Sequence, residues 1–96
     1  MARITDKQLQ ALCDRLNSLM STPAEPWESD PDMDGRYKAC VGNYHIDSAS
    51  GYVSLAQMTN ESGGVSIILP PSTKGELFNL IHAYLKGIED ARRNLE

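Results

Sequence analysis

Residues Gly42–Pro71, GNYHIDSASGYVSLAQMTNESGGVSIILPP, decide the fold. Three runs with strand character meet in this block, separated by two clusters of turn residues, and the block passes straight into a helix start. The first strand is expected from about Arg36 to Asp47. Alternation puts Cys40, Tyr44 and Ile46 on one face and Val41, Asn43, His45 and Asp47 on the other. Ser48-Ala49-Ser50-Gly51 is turn material. The second strand covers about Tyr52 to Thr59, with Val53 and Leu55 on one face and Tyr52, Ala56 and Met58 on the other; which face is buried stays open. Asn60-Glu61-Ser62-Gly63-Gly64 makes the next turn. The third strand, Val65 to Leu69, is expected to bury Val65, Ile67 and Leu69 and to leave Ser66 and Ile68 opposite. Pro70-Pro71 should stop it. Short turns join antiparallel neighbours, so the block predicts a three-stranded meander.

Helices flank the meander. Upstream, Thr5-x-x-Gln8 is a capping box, with Ile4 and Leu9 as the hydrophobic staple. Leu9, Leu12, Cys13, Leu16, Leu19 and Met20 follow at helical spacing. Asp6, Lys7, Gln10, Asp14 and Asn17 are assigned to the opposite, polar face, and Ser21-Thr22-Pro23 ends the helix. Downstream, Thr73-x-x-Glu76 is a second capping box. Leu77, Leu80, Ile81, Tyr84, Ile88, Ala91 and Leu95 then trace an apolar stripe, widened by Phe78 and Leu85, along a helix of about 22 residues. Glu89 and Arg93 stand at i,i+4 spacing for an ion pair. Gly87 weakens the helix interior unless close packing requires it. The expected architecture is α+β, ordered α-β-β-β-α, with two helices on one sheet face. The other face, with Asn43, His45, Ser66 and Ile68, is left half-polar and open, a candidate interface.

Ninety-six residues suit one domain, 1–96, with a modest core that a homodimer would help to stabilise. Thirteen acids against nine Lys and Arg give a net charge of −4. Five of those acids (Glu25, Glu28, Asp30, Asp32 and Asp34) fall within Ser21–Gly35, which has no Lys or Arg and three prolines. This stretch is expected to be a long acidic loop. A basic footprint for nucleic acid is absent, so a nucleic-acid partner is not expected. No apolar leader or membrane-spanning run is visible, which predicts a cytoplasmic protein without a membrane partner. Cys13 and Cys40 sit in helix and strand patterns and read as reduced, buried thiols.

The motifs that could carry chemistry fall short of it. Asp30-x-Asp32-x-Asp34-Gly35 matches the first half of a calcium loop, but Val41 stands where the bidentate Glu belongs, and a strand follows. Cys13, Cys40, His45 and His82 lack the paired spacings of a zinc site, so no metal is expected. Parity separates Cys40 from His45, which argues against a nucleophile pair. Ser62-Gly63-Gly64 lies between strands and lacks a helix N-terminus for phosphate. The Ser72-Thr73-Lys74 junction does offer one, although a plain capped start explains those residues. Pro23-Ala24-Glu25-Pro26 fits the minimal PxxP pattern, which is too common to carry weight. No catalytic set and no cofactor site is predicted.

The chain resembles a set of small bacteriophage-encoded accessory proteins. The resemblance lies in Leu16-Asn17, Gly42-Asn43-Tyr44-His45-Ile46, Gly51-Tyr52 with Leu55, Asn60 before Gly63-Gly64, and Thr73-Lys74-Gly75-Glu76-Leu77 with Ala83 and Gly87-Ile88. Where those proteins tend to have Gly-Gly before the second strand, this chain has Ser50-Gly51. The resemblance implies synthesis in an infected bacterium or from a prophage and carries no activity. Two expectations follow. The first is a non-enzymatic module that occupies a host protein for host takeover or counter-defence, through Trp27, Glu28, Asp30, Asp32, His45 and Tyr52. Trp27 could equally lie over the core edge and pin its loop. The second is a dimer that sequesters a nucleotide, with Arg36, Lys74, Arg92 and Arg93 meeting phosphates and Tyr44 or Tyr52 stacking a base.

Overall fold

Both capping boxes set helix starts where the sequence places them. In the computed structural model, which describes residues 3–29, 32 and 36–95, Thr5 Oγ1 accepts the Gln8 N–H at 3.2 Å and the Gln8 side chain accepts the Thr5 N–H at 2.8 Å. Helix α1 runs Asp6–Met20 and ends as Ser21 turns left-handed (φ 57°). Thr73 Oγ1 likewise accepts the Glu76 N–H at 3.2 Å and opens α2, Lys74–Leu95.

Between the helices lie five short strands: β1 Trp27–Ser29, β2 Tyr37–Ala39, β3 Tyr44–Ala49, β4 Tyr52–Met58 and β5 Val65–Ser72. The expected meander is present as the antiparallel sheet β3-β4-β5. The fold is a small α+β fold, with one element that the residue pattern does not announce. Part of the acidic loop is itself a strand, β1, paired with β2 as a separate two-stranded ribbon. The single strand expected from Arg36 to Asp47 is therefore two. Its break is Gly42, held at φ 96°, with its N–H donated to Met58 O and the Asn43 N–H turned back to Cys40 O. A left-handed backbone ends one strand and re-aims the next.

One core joins the two helices to the sheet. Leu9, Leu12, Cys13 and Leu16 of α1 meet Leu77, Ile81 and Leu85 of α2 over Tyr44, Val53 and Leu55. Burying such side chains contributes about 1.5–3 kcal/mol each. The α2 stripe is rotated from the expected one: Leu77, Ile81 and Leu85 are buried, while Leu80 and Leu95 are exposed. Gly87 has open space at its Cβ position, so packing does not require it. Glu89 bonds Arg15 on α1 and Arg93 bonds Asp90, so the expected Glu89–Arg93 pair is replaced by a tie between the helices.

The expected parity of the third strand is overturned by its register. Ala56 faces Ile67 and Leu55 faces Leu69, so one step along β4 matches two along β5. This bulge turns both Ile68 and Leu69 toward the core and leaves Val65 and Ile67 exposed on the outer face. Nor do Pro70 and Pro71 stop the strand. They lie within β5, an edge strand, at the register shift between the paired Leu69 and Ser72, where neither has a partner on β4. The molecule is 19 Å deep along its shortest axis, about one helix layer on one sheet layer.

Candidate functional site

Asn17 organises the region most unlike ordinary packing. The sequence pattern assigns it to the polar face of α1, yet it is 2% exposed. It stands four residues after Cys13 and eight after Leu9, on the buried row of the helix. Its Oδ1 accepts the Tyr44 N–H at 2.8 Å and its Nδ2 donates to Tyr44 O at 2.9 Å. The amide side chain thus plays the part of a neighbouring strand at the edge of β3. Thr22 Oγ1 donates to the same Oδ1 at 2.8 Å, which draws in the chain beyond α1. The fully buried Asn43 donates to Pro23 O at 2.8 Å, and His45 Nδ1 lies 3.2 Å from its Oδ1.

This network holds open a cleft of about 490 Å³ along the β3 edge. Gln10 and Asp14 of α1 form one wall, Glu25 and Pro26 another, and His45 and Ile46 the third. Gln10 Nε2 donates to Asp14 Oδ1 at 3.0 Å. Among the described residues, no Lys or Arg lines the cleft, so its walls are acidic.

The outer sheet face is a second candidate surface. His45, Ala56 and Ile67 stand side by side across the three strands, as do Met58 and Val65 across β4 and β5. Tyr52, Val65 and Ile67 are about half exposed. Among the described residues, both helices pack on the opposite face. At one end of the sheet, the Trp27 ring lies against Gly63 in the β4–β5 turn. A Cβ added at Gly63 would meet that ring at 2.7 Å, and Gly63 already holds φ 99°, so glycine is required twice. Asn60 Oδ1 closes the turn by accepting the N–H groups of Ser62 and Gly64. The ribbon is anchored to that turn by Ala39 N–H to Glu61 O, and Cys40 N–H to Pro26 O extends its own ladder by one rung. Trp27 therefore pins its segment while remaining 45% exposed.

The residues expected to act together are dispersed. Trp27 and Tyr52 lie at opposite ends of β4, about 20 Å apart at strand rise. Glu28 faces Lys38 across the ribbon at 3.6 Å. Asp30 lies outside the described residues, as does the greater part of the calcium-like motif; Asp32, on its exposed turn, is described alone. Among the described residues, no group of His, Cys, Asp and Glu could hold a metal ion. The phosphate set does not converge. Lys74 pairs with Asp6 at 2.9 Å, and it is separated from Arg92 and Arg93 by most of α2, about 27 Å at helical rise. Arg36 is exposed in the segment before β2. Tyr44 is buried against Tyr84 at a ring separation of 6.5 Å and cannot stack a base. Burial pushes its phenol up to about 12.

Neither thiol is set up as a nucleophile. Burial pushes Cys13 up to about 12. Cys40 is raised by burial and then by the Glu28 carboxylate beside it. Among the described residues, no helix is long and apolar enough to cross a membrane. Sequence reasoning misses Asp14 and Glu25 as partners in one cleft, because α1 and the following loop meet only in the fold. Asn17 does leave a signal: a polar residue on the Leu9–Cys13 row. Comparisons with protein-family models, curated proteins and solved structures give no match.

Proposed function

We propose that the protein is a non-enzymatic interaction module that binds a host protein and modulates it. The observation that carries this reading is the outer sheet face, where Tyr52, Val65 and Ile67 expose apolar area beside buried Ala56 and Met58. Such patches mark sites of protein association. Trp27 extends the apolar character past the β4–β5 turn, and a half-exposed tryptophan is a common anchor at interfaces. The proposed setting is the cytoplasm of an infected or lysogenic bacterium, for which the support is the sequence resemblance. The absence of an enzymatic role is also part of the proposal, supported by two thiols held in the unreactive form.

The test is capture from bacterial lysate with wild-type protein and with the Val65→Lys/Ile67→Lys variant. A stoichiometric partner retained by wild type and lost by the variant is expected. Recovery of the same proteins by both would remove this face from the function. Recovery of none by wild type would count against the module reading itself.

A further inference from the structure

We propose that the free edge of β3 is a docking site for an extended basic peptide segment, which adds there as a fourth strand. This inference rests on the reading of the protein as an interaction module and names a surface and a partner chemistry for it. The phase of the strand comes first. Ser50 (φ 53°) and Gly51 (φ 82°) form a two-residue hairpin turn, with both central residues left-handed. Tyr44 directs its N–H and C=O away from β4, because Asn17 bonds both. Backbone groups on one side of a strand recur at every second residue. Ile46 and Ser48 therefore present their N–H and C=O groups to the same outer side, beyond the reach of the single amide of Asn17. Among the described residues, no loop backbone bonds those four groups, and the side-chain bonds to the β3 backbone are those of Asn17 to Tyr44. The four groups are a pairing template of the kind used in strand addition.

The cleft beside this edge selects the partner. Asp14 and Glu25 line it together with Ile46 and His45, and among the described residues no Lys or Arg lines it. A strand laid along Ile46 and Ser48 would carry a side chain toward those carboxylates, and a Lys or Arg there is complementary. A second copy of β3 is a poorer occupant. Its sequence YHIDSA has no Lys or Arg and carries Asp47. Symmetric pairing about Ile46 would also require Tyr44, whose groups Asn17 already holds.

The test begins with a pair of capped heptapeptides, Ser-Thr-Val-Lys-Val-Thr-Ser and the same chain with Glu for Lys, titrated into the intact protein. Amide resonances are followed by NMR. The lysine peptide is expected to shift the Ile46 and Ser48 amides, and the glutamate peptide to bind at least about tenfold more weakly. The Asp14→Lys/Glu25→Lys variant has both substitutions on exposed positions and should fold; it is expected to reverse the preference. A second variant, Ser48→Pro, removes one edge donor and should weaken both peptides; if it unfolds, the charge-reversal variant still decides. No shift at Ile46 and Ser48 with the lysine peptide overturns the proposal, as does equal binding of both peptides. Shifts confined to Val65, Ile67 and Trp27 also overturn it while leaving the interaction-module reading intact. That reading falls only with the lysate experiment on the outer face.

Discussion

β5 closes its side of the sheet with Pro70 and Pro71, which have no N–H to offer, and with two register shifts against β4. β3, on the other side, pairs with β4 without a shift and has neither proline nor lysine. One side chain, Asn17, covers its first residue, and the next two outward positions stay free. The contrast teaches where this small domain tolerates company. Prolines and bulges are common means of blunting an edge against unwanted pairing. An edge left straight beside an acidic cleft is open to a specific partner.

Removing the Asn17 cap breaks the comparison most severely. Asn17→Leu keeps the branched shape but strips partners from Tyr44 N–H and Tyr44 C=O at a buried site, while the half-buried Thr22 hydroxyl keeps the main-chain oxygen of residue 17. Unmade buried hydrogen bonds of this kind cost about 3 kcal/mol together. Urea unfolding of the variant against wild type reads the loss. A change under about 0.5 kcal/mol would mean that Asn17 contributes little to the β3 edge.

Alkaline pH tests the same capped end. Folded Cys13 keeps its proton to about 12, whereas its ordinary value is 9.0. Folded Tyr44 keeps its proton to about 12 against an ordinary value of 10.0. In each case the folded chain holds the proton after the unfolded chain has released it. The stabilisation is therefore present in full below the ordinary value and lost as pH rises toward about 12. Above pH 9 the unfolding free energy should fall by about 1 kcal/mol per pH unit, and more steeply once Tyr44 joins. Tyr44→Phe should remove the steeper part and leave the Cys13 part. Urea titrations at a series of pH values separate the two slopes.

Opening the β5 edge makes the two sides alike. Pro70→Thr/Pro71→Thr restores two N–H groups at exposed positions and should change monomer stability by less than about 1 kcal/mol. Its expected effect is concentration-dependent association beyond that of wild type, read by sedimentation velocity. Unchanged sedimentation would show that the prolines do not guard the edge.

The two edges also differ in how far they are legible in the sequence. The prolines are written in the chain, yet their meaning is not, because a proline at an edge and a proline that stops a strand leave the same local mark. The β5 bulge escapes alternation for a similar reason. Ile67, Ile68 and Leu69 are all apolar, so the residue pattern does not show which of them is extra. Helix starts are legible because a capping box is complete within four residues. The β3 cap and the acidic cleft are not, because they join Asn17 to Tyr44 and Asp14 to Glu25 across separate elements. The ribbon is hidden by the prolines and acids around Trp27, whose strand is only three residues long and is held by pairing rather than by its own burial.

The smallest effect lies at the turn that sets the phase of the β3 edge. Ser50 occupies the first central position of the hairpin at φ 53°, a conformation that side chains other than Asn, Asp and Gly adopt at a cost. Asparagine followed by glycine is the preferred pair for this turn type, so Ser50→Asn should raise stability by about 0.5 kcal/mol. If the outward phase of Ile46 and Ser48 is set by this turn, the variant should leave their amide exchange fast and slow that of His45 and Asp47, whose N–H groups face β4. Equal slowing at all four amides would mean that the β3 edge is already paired and that its contrast with β5 is smaller than the backbone geometry implies.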